Sequence, residues 1–356
     1  MEEALTFDDV LLLPQYSEVL PSDVCIETRL SSSLSLSIPI LSAAMDSVTE
    51  LPMALAMAQL GGMGVVHKNL SKDAQSLCVQ EFRKCTGKEM PIAAAIGIGN
   101  PGIERAQALV EAGVQALVID TAHAHSKSVL QTAIQIKSLF PATTLIAGNI
   151  VTGEAAKQLA DVGVDAVKVG IGPGSICTTR IVSGVGCPQI TAILSVSQAL
   201  QGSSVSLIAD WEGCAIRGDI VKALAAGADC VMLGGMLAGT KEAPGEIVYI
   251  EEQAYKKYRG MGSIGAMKQG SADRYFQKQE QKKFIPEGVE GFVPFKGSVK
   301  DVLFHILGGL RSGMGYLGAK TLKELKKNST FIKLSQAGRA ESHVHNLYHV
   351  QRSPNY

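Results

Sequence analysis

Asp165-Ala166-Val167-Lys168-Val169-Gly170-Ile171-Gly172-Pro173-Gly174-Ser175-Ile176-Cys177-Thr178-Thr179-Arg180 runs from a strand pattern into a glycine loop. The first five residues read as a buried strand. Three glycines and a proline then rule out an ordinary helix interior, because glycine costs backbone entropy there and proline lacks the N–H. A thiol and two hydroxyls follow at once. A glycine loop that carries a nucleophile at the carboxyl end of a strand suits covalent chemistry.

Seven more short apolar runs surround this one. They are Pro39–Ser42, Met63–Val66, Ile92–Ile96, Ala116–Asp120, Thr144–Asn149, Val205–Asp210 and Cys230–Gly234. Amphipathic stretches lie between them at Glu104–Ala112, Glu154–Val162 and Ile220–Ala226. Each ends in an Ala-Gly or Val-Gly pair, a helix stop. Eight strands separated by helices predict an α/β fold closed as a TIM (β/α)₈ barrel. An open doubly wound sheet is the alternative. No GxGxxG follows the first strand, which weakens it.

The chain of 356 residues has room for one large barrel or two modest domains. We expect a single catalytic barrel domain over 1–356. It includes a pre-barrel segment, 1–35, and a polar flap at about 265–297, with a last barrel helix near Val299 to Gly308. The polar stretch is expected to be either disordered or a mobile cover over the active face.

Apolar residues make up 46 % of the chain and mean hydropathy is +0.17, enough for a sizeable core. The 33 basic and 33 acidic side chains cancel, so no basic field points to nucleic acid. No apolar stretch is long enough to cross a bilayer, and Met1-Glu2-Glu3-Ala4 lacks signal-peptide character. A cytoplasmic setting is expected. The seven cysteines form no CxxC and fit neither a zinc cluster nor a disulfide framework. Most read as small buried hydrophobes; Cys177 reads as a nucleophile.

On a barrel, function collects where strands end. Asp120, Asn149, Cys177, Asp210 and the Gly234-Gly235 pair all stand at such ends. Asp210, Gly213, Gly234 and Gly235 suggest phosphate and ribose recognition, through backbone N–H groups and a carboxylate. The same glycines also serve simple tight turns. His123 and His125 have the spacing of a metal pair, but no third ligand is evident. Arg274-Tyr275 in the polar stretch suits either water activation or an ordinary surface position. Glu287, between Pro286 and Gly288, reads equally as a turn residue.

These residues carry a resemblance to the IMP dehydrogenase / GMP reductase family over nearly the whole chain. The matching stretches are Thr6–Leu12, Leu41–Asp46, Gly170–Arg180, Tyr258–Ser263, Asp273–Gln277 and Gly308–Gly315. The resemblance implies NAD-dependent oxidation of IMP to XMP, in guanine nucleotide biosynthesis. Cys177 would add to purine C2, hydride would leave for the nicotinamide, and water would hydrolyse the thioimidate. Arg274 would be the general base on the flap with Tyr275 beside it, Thr179 would help activate water, and Glu287 would offer another proton path. An arginine base needs a lowered pKa or a transient loss of its proton.

The resemblance places IMP on Ala43, Met45, Ser175, Asp210, Gly213, Gly234, Gly235, Tyr258, Gly260, Met261 and Glu287. It places the cofactor near Asp120, Thr121, Asn149, Gly170, Gly172 and Gly262. Potassium would be held by carbonyls of Gly170, Gly172 and Cys177, with Glu341, Ser342 and His343 from a neighbouring subunit of a homotetramer.

Two departures stand out. About 25 residues separate Val66 from Ile92, too few for the paired CBS module that many members carry there. The family also reads Asp-Gly-Gly after the seventh strand. Here the loop is Asp210-Trp211-Glu212-Gly213-Cys214, one residue longer, with an indole and a carboxylate near the nucleotide phosphate. Either the loop bulges outward and Gly213 serves the phosphate, or nucleotide affinity falls; the bulge is the expectation. The rivals are an NADPH-dependent GMP reductase and a catalytically weakened nucleotide-binding protein. Leu233-Gly234-Gly235 and Gly213-Cys214 lean to the reductase; Arg274-Tyr275 and Tyr258–Ser263 lean more strongly to the dehydrogenase.

Overall fold

A computed structural model describes residues 2–211, 218–279, 282–346 and 348. The chain enters through a 3-10 turn, Phe7–Asp9, into β1 (Val10–Leu12). β2 (Thr28–Arg29) and β3 (Ser35–Leu36) form an antiparallel pair. Strands and helices then alternate. β4 (Ile40–Ser42), α1 (Leu51–Gln59), β5 (Met63–Val66), α2 (Lys72–Thr86), β6 (Ile92–Ile96) and α3 (Gly99–Glu111) come first. β7 (Ala116–Asp120), α4 (Lys127–Leu139), β8 (Thr144–Ile150), α5 (Gly153–Asp161) and β9 (Ala166–Val169) follow. Then come α6 (Thr179–Ser183), α7 (Gln189–Ala199), β10 (Ser206–Trp211), α8 (Gly218–Ala225), β11 (Cys230–Leu233) and α9 (Gly235–Ala238).

The strands from β4 to β11 close into a parallel barrel, with β11 pairing back onto β4. This is the expected (β/α)₈ barrel. Every residue of its strands is buried, with side chains on one face filling the barrel and on the other meeting the helices. Such strands read as unbroken apolar runs because neither face sees water. Ser71, Thr152 and Ser298 accept backbone N–H bonds at the starts of their helices, which fixes where those helices begin.

Helix ends depart from the expected ones. α3 starts at Gly99, ahead of Glu104, because Pro101 sits in its first turn, where no N–H is needed. The helix after the polar stretch runs past Gly308 as far as Tyr316. Only α2 lies between β5 and β6, so the barrel carries no inserted module there.

The polar stretch is built, not structureless, among its described residues. β12 (Ile247–Ile250), β13 (Gln253–Arg259) and β14 (Glu290–Pro294) form an antiparallel sheet. α10 (Ile264–Lys268) and a 3-10 turn, Ser271–Tyr275, sit between the last two strands. α11 (Val299–Tyr316), α12 (Leu322–Asn328), β15 (Phe331–Lys333) and α13 (Gln336–Glu341) are the remaining elements among the described residues. β15 pairs antiparallel with β1, Val10 facing Lys333. No helix among the described residues is long and apolar enough to cross a membrane.

Candidate active site

The carboxyl ends of the barrel strands open into a cleft roofed by the 3-10 turn of the polar stretch. Its walls include Ala43, Met45, Asp120, Asn149, Lys168, Gly170, Gly172, Cys177, Thr179, Asp210, Gly260, Met261, Gly262, Arg274, Tyr275 and Glu287. Residues from distant parts of the sequence thus converge on one space, as a closed parallel barrel dictates.

The cysteine loop leaves β9 through Gly170, whose φ is +146°. A Cβ there would come within 2.5 Å of the Asp210 carbonyl, so only glycine lets the chain turn this close to β10. Cys177 Sγ donates to Thr179 Oγ1 at 3.2 Å. The loop is stitched to the segment that leads into β14. Cys177 pairs with Gly288, Thr178 N–H donates to the Glu287 carbonyl at 2.9 Å, and Val289 N–H to that of Ile176 at 2.9 Å. Glu287 N–H in turn donates to the Gly262 carbonyl. Gly262 is tight for a reason: a Cβ would sit 2.8 Å from the Tyr275 ring.

A chain of buried charges crosses the mouth. Lys168 Nζ meets Asp120 Oδ1 at 3.0 Å and Asp210 Oδ2 at 2.6 Å, and donates to Asn149 Oδ1. Asn149 Nδ2 donates to Asp210 Oδ2 at 2.8 Å and to the Gly170 carbonyl at 2.6 Å. Arg274 grips Asp120 with two bonds, Nε at 2.8 Å and Nη2 at 3.2 Å, while Nη1 lies 3.4 Å from the Tyr275 hydroxyl. Burial alone would raise the Asp120 pKa, but Arg274 and Lys168 outweigh it and hold the carboxyl well below the usual range. Burial likewise works against the Arg274 charge, and Asp120 overrules it, so the guanidinium is held more firmly protonated than usual. The expected lowering of an arginine base is therefore reversed in this arrangement, because Asp120 is its direct partner.

The turn bearing Arg274 is anchored on both sides. Ala122 N–H donates to the Arg274 carbonyl at 2.8 Å, and Lys68, buried at the end of β5, pairs with Asp273. His125 bonds Gln158 at 3.1 Å, and its ring lies 6.2 Å from that of His123. Among the described residues no three His, Cys, Asp or Glu side chains gather as metal ligands.

Several expected site residues lie outside these walls. Ser175 is exposed, and Tyr258 is buried within β13. Thr121 is buried beside the cleft and spends its hydroxyl on the Gly148 carbonyl. Gly234 precedes α9 and Gly235 opens it. Glu341 and Ser342 are exposed at the end of α13, with His343 half-buried beyond them. Gly213 and the rest of its loop, from Glu212 to Arg217, lie outside the described residues. Trp211 is not part of the cleft wall: β10 extends through it, so it faces opposite to Asp210. Its indole packs on Phe7, ring centres 4.6 Å apart. The residue that sequence reasoning passed over is Lys168. Its only signal was a lysine inside an otherwise apolar strand.

Fold and site together define a parallel (β/α)₈-barrel enzyme whose cleft sets a cysteine loop against an arginine–tyrosine turn. The chain belongs to the IMP dehydrogenase / GMP reductase family, whose domain model matches residues 4–345. It is 47 % identical to an inosine-5'-monophosphate dehydrogenase of Borreliella burgdorferi over 398 aligned positions, covering 98 % of each chain. It is 46 % identical to that of Cryptosporidium parvum, covering 99 % of this chain and 98 % of the relative. The Aquifex aeolicus enzyme is 40 % identical over 482 aligned positions, covering 100 % of this chain and 98 % of the relative. That alignment is far longer than this chain, so the relative carries sequence that is missing here.

Proposed function

We propose that this protein oxidises IMP to XMP with NAD, through a covalent bond from Cys177 to the purine. The observation that carries the reading is that one cleft holds both Cys177–Thr179 and Arg274–Tyr275. A two-step reaction needs a nucleophile for the first step and a water-handling group for the second.

The Cys177 thiol gives up its proton and its sulfur bonds to C2 of the purine. The hydride would then leave C2, bound NAD supplying the two-electron acceptor. Water then adds at C2, loses a proton, and the sulfur departs with a proton, leaving XMP. Thr179 has its hydroxyl 3.2 Å from the sulfur, and so would stand near the carbon bonded to that sulfur. Asp210 offers a carboxylate to ribose hydroxyls, and Ala43, Met45, Gly260 and Met261 shape the base pocket. Ser175, Gly213, Gly234, Gly235, Tyr258 and Glu287 complete the proposed nucleotide site.

The cofactor's residues fit it in one telling respect. Asp120 is an ionised acceptor at the wall of the cleft, suited to a ribose, with Asn149, Thr121, Gly170, Gly172 and Gly262 around it. In this structure Arg274 holds that carboxylate. Cofactor and arginine would thus take turns at Asp120. Arg274 acts as a base only in an arrangement that frees it from this partner.

Potassium and the homotetramer belong to the same proposal. Carbonyls of Gly170, Gly172 and Cys177 suit a weakly hydrated monovalent cation, and the Gly170 carbonyl keeps a lone pair beyond its bond from Asn149. Exposure of Glu341 and Ser342 favours their use by an adjoining subunit in that site. Activity is expected to rise when potassium replaces sodium, and sedimentation to report four chains.

The decisive assay supplies IMP, NAD and potassium, follows NADH by absorbance and identifies XMP by chromatography. A parallel sample receives GMP and NADPH. NADH with XMP supports the reading; NADPH loss with GMP, or silence in both, overturns it. Cys177→Ala is expected to abolish turnover.

A further inference from the structure

Lys168 stands in β9 with 1 % of its surface exposed, the only charged side chain within the β9 run Ala166–Val169. A buried ammonium is costly unless each of its protons is matched. Here the three protons have three acceptors: Asp120, Asp210 and Asn149. The backbone makes room for the stem. At Gly148 on the neighbouring β8 a Cβ would come within 2.4 Å of the Lys168 Cβ, so the hole is shaped for this side chain.

We propose that Lys168 is a positioning residue that ties the cofactor-side carboxylate, Asp120, to the substrate-side carboxylate, Asp210. Through it, nucleotide binding and the position of the Arg274 turn act on one another. This rests on the functional reading above, in which those two carboxylates meet the cofactor and the nucleotide.

Charge counting supports the role. Lys168 and Arg274 face Asp120 and Asp210, two cations against two anions, with the Lys68–Asp273 pair at the edge. When Arg274 leaves Asp120, Lys168 is the remaining cation bonded to it. Asp120 then stays ionised and aimed. Asp210 is fixed by the same ammonium and by Asn149, so its free edge is presented to the ribose without reorganisation.

The test is the pH profile of kcat/KM for NAD in Lys168→Met and Lys168→Arg, alongside thermal melting. Without the ammonium the Asp120 carboxyl takes up a proton more readily. The acid limb is expected to move toward neutral pH, with KM for NAD rising about tenfold or more. Lys168→Arg is expected to return the limb to its original place. An acid limb that stays put in Lys168→Met overturns the proposal. So does a limb that Lys168→Arg fails to restore in a protein that melts like the wild type. The double variant Lys168→Met/Asp120→Asn loses one charge of each sign, which guards against simple misfolding. IMP binding to it, read by calorimetry without turnover, is expected to be about tenfold weaker than to Asp120→Asn alone. Equal binding overturns the link to Asp210. Because calorimetry needs no reaction, it separates failure of this link from failure of the proposed activity, which the wild-type assay reports.

Discussion

Arg274 carries two demands that its surroundings keep apart. Bonded to Asp120 it is a fixed cation; freed from it, it is available to water. Arg274→Ala is expected to leave the first turnover's NADH burst intact while slowing steady-state release about a hundredfold, the usual scale for losing a proton-handling group. Rapid-mixing absorbance reads both phases, and loss of the burst would count against the assignment. Trp211 makes the opposite case. Its indole is buried on Phe7, away from the cleft. Trp211→Ala is therefore expected to cost about 3 kcal/mol in a urea melt while KM for IMP barely changes. Cys177 was legible because a thiol inside a glycine loop at a strand end has few other uses. Lys168 was not, because an unbroken apolar run tells only that both faces are buried, not which neighbour waits for an ammonium. Trp211 was misread because the strand was ended one residue early, at Asp210.

At the scale of elements, the eight barrel strands were legible for that same reason of double burial, and most of their bounds agree with the apolar runs. The sheet formed by β12, β13 and β14 was not. Gln253–Arg259 reads Gln-Ala-Tyr-Lys-Lys-Tyr-Arg, with no period of two to mark a strand, and although β12 lies just before it, its other partner, β14, comes more than thirty positions later. α8 carries a testable strain. Burial raises the Asp219 carboxyl from 3.8 to about 6, although Lys222 at 3.3 Å opposes the shift. The folded state then holds that proton more tightly than the unfolded chain. Its contribution is full below pH 3.8 and lost as pH rises through about 6. A shift of this size is worth about 3 kcal/mol. Relative to wild type, Asp219→Asn is expected to gain up to that amount between pH 4 and pH 7, measured by urea unfolding at both. A difference that does not change with pH would refute it.

For the whole molecule, the antiparallel pairing of β1 with β15 brings the first strand among the described residues against the last. Ion pairs Glu3–Lys333 and Asp8–Arg339 reinforce the same seam. The short turn at Gly87 after α2 is open, with nothing near its missing Cβ. The order in which the chain visits its strands is therefore separable from the shape they make. A circular permutant, cut at Gly87 and rejoined through a flexible linker across the β1–β15 seam, should close the same barrel and keep the same cleft. Its circular dichroism and NADH production would show whether covalent continuity at Gly87 is dispensable.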